Sequence, residues 1–225
     1  AQSWPLIVAD SSSPSALDAM VARTRVVCTT VGPYLKYGES LVVAAATAGT
    51  DYVDLTGEVP FVRYSIDKAH ETAAASGARI VHSCGFDSIP SDLGVYALYQ
   101  KISDDDAGQL TDTTLVMRAM RGGLSGGTID SMRVLAEQAK DSQIRRLMLN
   151  PQSLSGGPGE VPKASLSSEP SDLNIVSAKK VDPSLRGTLA PFFMAGHNTR
   201  IVRRSNVLLD NACLLYTSDA ADDSL

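Results

Sequence analysis

Residues 80–94 read Ile-Val-His-Ser-Cys-Gly-Phe-Asp-Ser-Ile-Pro-Ser-Asp-Leu-Gly, and this stretch decides the fold class. Its apolar start is typical of a short buried strand, and glycine, acid and proline residues follow that strand at once. A similar stretch lies earlier, where Val26 to Thr29 leads into Thr30-Val31-Gly32-Pro33-Tyr34. Parallel strands open a binding crevice at their carboxyl ends, so both stretches predict ligand-contacting turns of an α/β fold.

Strand patterns alternate with helical patterns over the first half of the chain. The strand patterns lie at residues 6–9, 26–29, 52–55 and 79–82. The helical patterns begin at Pro14, at about Glu39 and at Pro60, while Gly49 and Gly77 stand where a left-handed helix end favours glycine. This alternation is typical of βα units and predicts a Rossmann-like parallel sheet.

The second half of the chain predicts part of an α+β domain. A strand pattern over 113–121 is followed by a glycine-rich turn and a helix that Thr128 can cap and Pro151 ends. A long surface loop is predicted over 150–172, because this stretch is rich in Pro, Gly and Ser. A last helix is predicted over 191–204.

Both ends of the chain depart from a complete domain of this kind. A Rossmann domain carries a Gly-x-Gly-x-x-Gly turn at the amino end of its first helix, and the sequence has no such turn before the first strand. Residues 213–223, Cys-Leu-Leu-Tyr-Thr-Ser-Asp-Ala-Ala-Asp-Asp, match one reading frame of the transposase adaptor used in short-read sequencing. We therefore interpret the chain as an internal fragment whose first βα unit is missing. The predicted regions are a partial dinucleotide-binding domain at 1–108, a partial substrate and dimerisation domain at 109–212, and an adaptor-derived tail at 213–225.

The two turns together resemble those of the saccharopine dehydrogenase-like oxidoreductases, most closely their branch of trans-acting enoyl reductases. Cys84 to Gly94 contains that family's Gly-Phe-Asp-x-x-Pro-x-Asp signature, and the resemblance runs from Ala1 to about Ala212. It implies a nicotinamide dinucleotide cofactor, with NADP favoured over NAD, and reduction of an enoyl or keto intermediate in lipid or polyketide metabolism. It also implies that residues 30–34 line the nicotinamide half of the cofactor.

The candidate cofactor-binding residues follow predicted strands. They are Asp10, Thr30, Gly32, Pro33, Tyr34, Cys84, Gly85 and Phe86. Glycine at position 32 permits close approach of a flat ring and Pro33 fixes the turn, although an ordinary strand-to-helix turn uses the same residue types. Asp10 fits a contact with adenine or its ribose, and it fits a helix-start acid equally well.

Reduction of an activated double bond needs a proton as well as a hydride, so an acid is expected beside the nicotinamide. The candidate catalytic residues are Asp87 and Tyr34. Tyrosine keeps its proton at neutral pH, with a reference pKa of about 10, whereas aspartate needs burial to do so. His70, His82 and His197 lack paired spacing and are interpreted as structural. The cysteines lack the spacing of zinc ligands, and no metal site is predicted.

Arginines cluster in the last predicted helix. Arg200, Arg203 and Arg204 fit a receptor for a phosphate of a carrier-bound or lipid substrate, and they also fit the solvated face of a helix.

The composition is that of a soluble globular protein. The chain has 225 residues, of which 44% are apolar, and a formal net charge of −5. Without the three tail aspartates it carries 20 basic and 22 acidic residues, which argues against a nucleic-acid partner. Cysteines without framework spacing indicate reduced thiols and a cytoplasmic location. A small-molecule or carrier-bound lipid substrate is expected, and a homodimer and peripheral membrane contact are left open.

Two other functions are also left open. One is a saccharopine-type amino-acid dehydrogenase, and the other is a non-catalytic, lipid- or membrane-associated protein that keeps the fold. If the protein is an enoyl reductase or a saccharopine-type dehydrogenase, we expect the activity from the complete protein of which this chain is a fragment. The 225-residue fragment is expected to be inactive and to bind dinucleotide weakly, because pyrophosphate recognition rests on the glycine turn.

Overall fold

A computed structural model describes residues 5–119, 121–123, 125–163, 175–210 and 216–222 of the chain. In chain order, the helices are α1 (Pro14–Val21), α2 (Tyr34–Tyr37), α3 (Glu39–Ala48), α4 (Val59–Ser76), α5 (Ile89–Asp104), α6 (Gly126–Gln138), α7 (Ser142–Leu149), α8 (Ala178–Val181) and α9 (Ala195–Leu208). The strands are β1 (Val26–Thr29), β2 (Asp51–Asp54), β3 (Ile80–Val81), β4 (Asp112–Met117), β5 (Val176–Ser177), β6 (Thr188–Pro191) and β7 (Tyr216–Asp222).

Contacts divide the chain into two compact units. The first unit comprises Ala1–Cys84, Ser125–Ile144 and Gly157–Gly159, and the second comprises Gly85–Leu124, Arg145–Gly156 and Glu160–Leu225. This division falls earlier in the chain than the domain boundary predicted at residue 108. It also places α6 in the first unit, although α6 follows β4 in sequence.

The first unit contains a three-stranded parallel sheet in the order β1-β2-β3. The alternation of strands and helices therefore predicted the α/β class and the parallel pairing correctly. The strand predicted at residues 6–9 is wrong, because this stretch is irregular, with Leu6 and Val8 exposed at 96% and 99%. An isolated strand leaves its backbone N–H and C=O groups without ladder partners, and no strand described in the structure pairs with these residues.

One face of this sheet is buried and the other is open. Tyr52 and Asp54 of β2 point to the buried face, where the core also includes Val42 of α3 and Phe61 of α4. The residues between these in each strand point to the opposite face, because successive side chains of a strand alternate between the two sides of the sheet. Its exposed residues include Val26, Cys28 and Val81.

Glycine ends two helices of the first unit as predicted. Gly49 after α3 has φ of 72° and Gly77 after α4 has φ of 83°, both in the left-handed region that glycine adopts without steric cost. Pro14 stands at the start of α1, also as predicted. The short helix α2 was not predicted, because a single turn is too short for a periodic pattern.

The predicted helix from Thr128 to Pro151 is two helices. Ser125, rather than Thr128, caps α6, and its side chain accepts a hydrogen bond of 3.1 Å from the Thr128 backbone N–H. The Asp141 carboxylate accepts from the Gln143 N–H at 2.6 Å, which satisfies a donor at the start of α7. An acid in this position begins a new helix and does not continue the old one.

The second unit contains a four-stranded sheet in the order β4-β7-β6-β5. Strands β4 and β7 are parallel, and the other pairs are antiparallel. The α+β mixture agrees with the prediction for this half, but the last helix begins at Ala195, because Thr188–Pro191 forms β6. Part of the loop predicted over 150–172 lies outside the described residues.

Strand β7 falls within the stretch interpreted as an adaptor-derived tail. The expectation that residues 213–225 take no part in the fold differs from the structure, in which Tyr216–Asp222 pairs with both β4 and β6. Ladder hydrogen bonds use only the main chain, so pairing does not depend on the origin of the sequence. The adaptor origin stays a prediction, and genomic read coverage across these codons tests it.

Within the part of the chain that the structure describes, no helix is long and apolar enough to cross a bilayer.

Candidate functional site

The turn after β1 is held from the inside by Tyr34. This residue is only 4% exposed, and its hydroxyl donates to the Thr29 carbonyl at 3.1 Å and accepts from the Leu55 N–H at 3.4 Å. Its ring lies 5.5 Å from that of Phe61. The outer residues Thr30 and Val31 are exposed. The turn therefore presents main chain at the carboxyl edge of the sheet, while Tyr34 has a structural role in addition to the catalytic one predicted for it.

The carboxylate of Glu58 holds the other side of this turn. Oε1 accepts from the Tyr34 N–H and from the Ser131 hydroxyl, and Oε2 accepts from the Leu35 N–H, each at 2.9 Å. Glu58 is 1% exposed, and a polar group so deeply buried requires such donors. Sequence reasoning missed Glu58, because a glutamate just before a helix is usually interpreted as a solvated first-turn acid.

Gly32 packs against the protein itself. A Cβ added at this position lies 3.4 Å from the Tyr34 ring and 3.5 Å from the Ser131 hydroxyl oxygen. These distances are ordinary van der Waals contacts, so packing within the first unit does not by itself require glycine here. The predicted approach of a nicotinamide ring stays a prediction, as does the role of Pro33, whose peptide bond with Gly32 is cis.

A buried acid–histidine pair lies where β2 and β3 end. Oδ2 of Asp54 is 2.7 Å from Nδ1 of His82, and Oδ1 accepts from the N–H groups of Thr56 at 3.0 Å and Ser83 at 2.9 Å. Burial acts to raise the pKa of the Asp54 carboxyl, but the bond and charge of His82 and the two N–H groups outweigh it, so the pKa lies below its ordinary value. Asp54 is therefore a buried carboxylate at neutral pH.

The surroundings of this pair are aromatic. The rings of Phe61 and Tyr52 lie 5.3 Å and 5.7 Å from that of His82. Burial and the charge of Asp54 raise the pKa of Tyr52. Nε2 of His82 is buried and has no hydrogen-bond partner among the described residues. The structural role predicted for the three histidines stays a prediction, and the partner of His82, Asp54, was not foreseen.

A backbone hydrogen bond joins Cys84 to the carboxyl end of β2. Its N–H donates to the Asp54 carbonyl at 2.7 Å. Ser83, directly before it, has φ of 59°, and its hydroxyl donates to the Thr56 carbonyl at 2.8 Å. Burial, followed by the charge of Asp54, raises the pKa of the Cys84 thiol, so this thiol is protonated at neutral pH. The turn after β1 and the residue after β3 thus meet at the carboxyl end of β2.

The loop that carries Asp87 belongs to the second unit, where Asn198 holds it. The Asn198 side-chain N–H groups donate to the Asp87 carbonyl at 2.8 Å and to the Ser91 hydroxyl at 3.1 Å, and its oxygen accepts from Ser88 at 2.8 Å. Phe86 is 85% exposed. Asn198 was missed, because it lies in a distant helix. The shared pocket predicted for the Gly32 and Asp87 loops stays a prediction, and so do the roles of Gly85 and Phe86.

Asp10 forms a local turn on the surface. Its carboxylate accepts from the Ser12 N–H at 2.8 Å and from the Ser12 hydroxyl at 2.7 Å. The backbone hydrogen bond from Ser12, followed by the side-chain bond, lowers the pKa of Asp10. These contacts fit the helix-start acid, and the adenine contact stays a prediction.

Two of the three arginines of α9 are buried, and the role of these arginines as a phosphate receptor stays a prediction. Arg200 is 5% exposed and donates to the carbonyls of Met148, Asn150 and Gly196, at 2.8 Å to Met148 and 3.0 Å to Asn150. Arg204 donates to the Leu154 carbonyl at 2.9 Å. The interpretation as a solvated helix face is wrong for Arg200 and Arg203, because both side chains are buried. The guanidinium of Arg200 bonds to main-chain carbonyls of the protein.

We expect Tyr34 to contribute stability that is lost at alkaline pH. Burial raises its pKa from the ordinary 10.0 to about 12, so the folded state holds this proton more tightly than the unfolded state. The contribution is complete below pH 10 and is lost as the pH rises through about 12, on the order of 2 kcal/mol in all. Urea unfolding of the wild type and of Tyr34→Phe from pH 8 to 12 tests this. The stability difference should shrink with pH, and parallel curves contradict the assignment.

The chain is similar to mycobacterial proteins over nearly all its length. It is 55% identical over 212 residues to a protein of Mycobacterium tuberculosis provisionally named a trans-acting enoyl reductase, with 93% of this chain and 50% of that protein covered. It is 48% identical over 211 residues to the trans-acting enoyl reductase of Mycobacterium bovis and 47% identical to that of Mycobacterium leprae, with 92% of this chain and 50% of each relative covered.

No family model and no solved structure matches the chain. The chain spans about half the length of the curated relatives it matches. Over that span, it is similar to proteins named trans-acting enoyl reductase.

Proposed function

We propose that the protein carrying this chain is a nicotinamide-dependent enoyl reductase of the saccharopine dehydrogenase-like family. The similarity to trans-acting enoyl reductases is the observation that carries the proposal. The parallel sheet supports it, because turns at the carboxyl ends of such strands are where α/β folds bind dinucleotides.

The cofactor in this proposal is NADP, with NAD as the alternative. The residues that would hold its nicotinamide half are Thr30, Gly32, Pro33, Tyr34, Cys84, Gly85 and Phe86, and Asp10 would contact its adenosine half. The exposure of Thr30 and Val31 beside the buried Tyr34 fits a flat ligand lying on the turn. When bound, the reduced nicotinamide supplies the hydride.

Asp87 is the first candidate for the proton donor, and Tyr34 is the second. The Tyr34 hydroxyl already donates to the Thr29 carbonyl, so giving its proton to a substrate would cost that hydrogen bond. In this proposal the Asp87 side chain passes a proton from solvent to the carbon next to the one that receives the hydride. Asn198 fixes the main chain of Asp87 for this step.

The substrate is proposed to be an enoyl or keto intermediate of lipid or polyketide metabolism, either free or bound to a carrier. A homodimer and a peripheral membrane contact are further proposals for the whole protein. Activity is proposed for a protein of the relatives' length.

The test is a kinetic comparison in a protein that carries this sequence at the relatives' length. With NADPH and a trans-2-enoyl thioester, we expect cofactor oxidation that depends on the thioester. Asp87→Asn should lower kcat by about 100-fold or more while leaving the Kd for NADPH within about twofold, because loss of a general acid affects the chemical step. The matched control is Asp104→Asn, an exposed acid at the end of α5, which should leave both values unchanged. Absence of NADPH and NADH binding to the wild type contradicts the proposed function.

A further inference from the structure

We propose that residues 54–58, Asp-Leu-Thr-Gly-Glu, position both turns of the cofactor site, with Glu58 holding the turn after β1 and Asp54 holding the residues after β3. This inference rests on the proposed function only for the ligand of those turns. The segment connects β2 to α4, and sequence reasoning assigned no role to it. All its contacts below lie within the first unit.

Glu58 controls the turn after β1 through two backbone donors. The N–H groups of Tyr34 and Leu35 both bond to its carboxylate, so the main chain is fixed where it leaves the turn and enters α2. The Ser131 hydroxyl donates to Oε1 and fixes the carboxylate in turn. Two neighbouring backbone N–H groups bonded to one buried side chain fix the path of the main chain, which suits a positioning role.

Asp54 controls the residues after β3 with its side chain and its main chain. The side chain accepts from the Ser83 N–H and contacts His82, and the carbonyl accepts from the Cys84 N–H. Three consecutive residues are therefore bonded to one aspartate. Ser83, the middle one of these three residues, has a positive φ, and the chain turns away from the strand at this point.

The middle of the segment joins its two ends. The Leu55 N–H donates to the Tyr34 hydroxyl, and the Thr56 carbonyl accepts from the Ser83 hydroxyl. Within the segment, the Thr56 N–H donates to Asp54 and the Glu58 N–H donates to the Thr56 hydroxyl. Each carboxylate therefore holds its own turn, and the hydrogen bonds in the middle connect the two ends of the segment.

These carboxylates act through other residues and not on a substrate. Glu58 and Asp54 are 1% and 2% exposed, and both oxygens of each are already bonded. They are therefore positioning residues.

Amide hydrogen exchange by NMR on the 225-residue chain tests positioning without any ligand. In Glu58→Gln, an amide N–H of the new side chain faces a backbone donor. Exchange at Tyr34 and Leu35 should therefore become about tenfold faster, with Ser83 and Thr56 unchanged. Asp54→Ala removes the acceptor of the Thr56 and Ser83 N–H groups and should speed exchange most at these two residues. The matched control is Asp51→Asn at the other end of β2, where the carboxylate bonds Arg79, and it should change neither set.

Faster exchange spread evenly over the first unit overturns the proposal, because it means general destabilisation. If Glu58→Gln does not fold, Ser131→Ala removes one hydrogen bond from the same carboxylate, and unchanged exchange at Tyr34 and Leu35 in that variant overturns the proposal too. In the protein of full length, Glu58→Gln should raise the Kd for NADPH about tenfold at unchanged Kd in Asp51→Asn. A wild type that binds no dinucleotide rejects the proposed function and leaves the exchange result standing. If the wild type binds NADPH and Glu58→Gln binds it equally tightly, the positioning role is rejected and the proposed function is not.

Discussion

Asp54→Ala should destabilise the protein by about 3–5 kcal/mol, because each buried donor left without an acceptor costs about 1–3 kcal/mol. The substitution leaves His82 Nδ1 and the N–H groups of Thr56 and Ser83 without their acceptor in a buried place. Urea unfolding at pH 7, followed by circular dichroism, measures the loss.

The control for this variant is Asp51→Ala at the opposite end of the same strand. Its partner Arg79 has a side chain that is 80% exposed, so we expect a loss of about 1 kcal/mol or less. The pH dependence gives a second check. Because the pKa of Asp54 is lowered in the folded state, its contribution is complete above the ordinary carboxyl pKa and is lost as the pH falls through the lowered value. Equal losses in the two variants contradict the assignment.

Gly38→Ala is expected to cost about 1–3 kcal/mol through overpacking. An added Cβ meets Cε2 and Cζ of the Phe61 ring and the Tyr34 carbonyl oxygen, each at 2.9 Å, which is closer than real Cβ atoms come. The backbone at Gly38 has φ of −91°, so the cost comes from contact alone. Thermal and urea unfolding both measure it.

Gly126→Ala serves as the control for that variant. Gly126 is the first residue of α6, in the same unit, and a Cβ added there meets nothing within 4 Å. The change should be neutral or slightly stabilising, because alanine loses less backbone entropy than glycine on folding. A Gly38→Ala protein as stable as the wild type shows that Phe61 moves away at little cost.

Local patterns predicted the first unit well where the fold repeats them. The strand at Val26–Thr29, the helix ends at Gly49 and Gly77 and the parallel pairing all follow from periodicity and from the conformational freedom of glycine. The strand at residues 6–9 failed, because an apolar run forms a strand only when another strand pairs with it. Sequence shows the run but not the partner.

Sequence patterns identified some residues of the candidate site and missed others. The turn at residues 30–34 and Cys84 carry recognisable residue types next to strands, so they could be named. Glu58, Asp54 and Asn198 were not named, because each has a role set by donors far away in sequence. A buried carboxylate and a solvated one look alike in a sequence, and only the fold distinguishes them.

The contacts of Arg200 affect how the protein responds to dissolved ions. Its guanidinium is buried and bonds two carbonyls at and just after the end of α7 and a third one turn back in α9, so its charge faces peptide dipoles and little water. Counterions screen exposed charges much more than buried ones. Stability that depends on this arginine should therefore be nearly independent of salt concentration. An anionic headgroup would have to displace carbonyls before it could reach this cation.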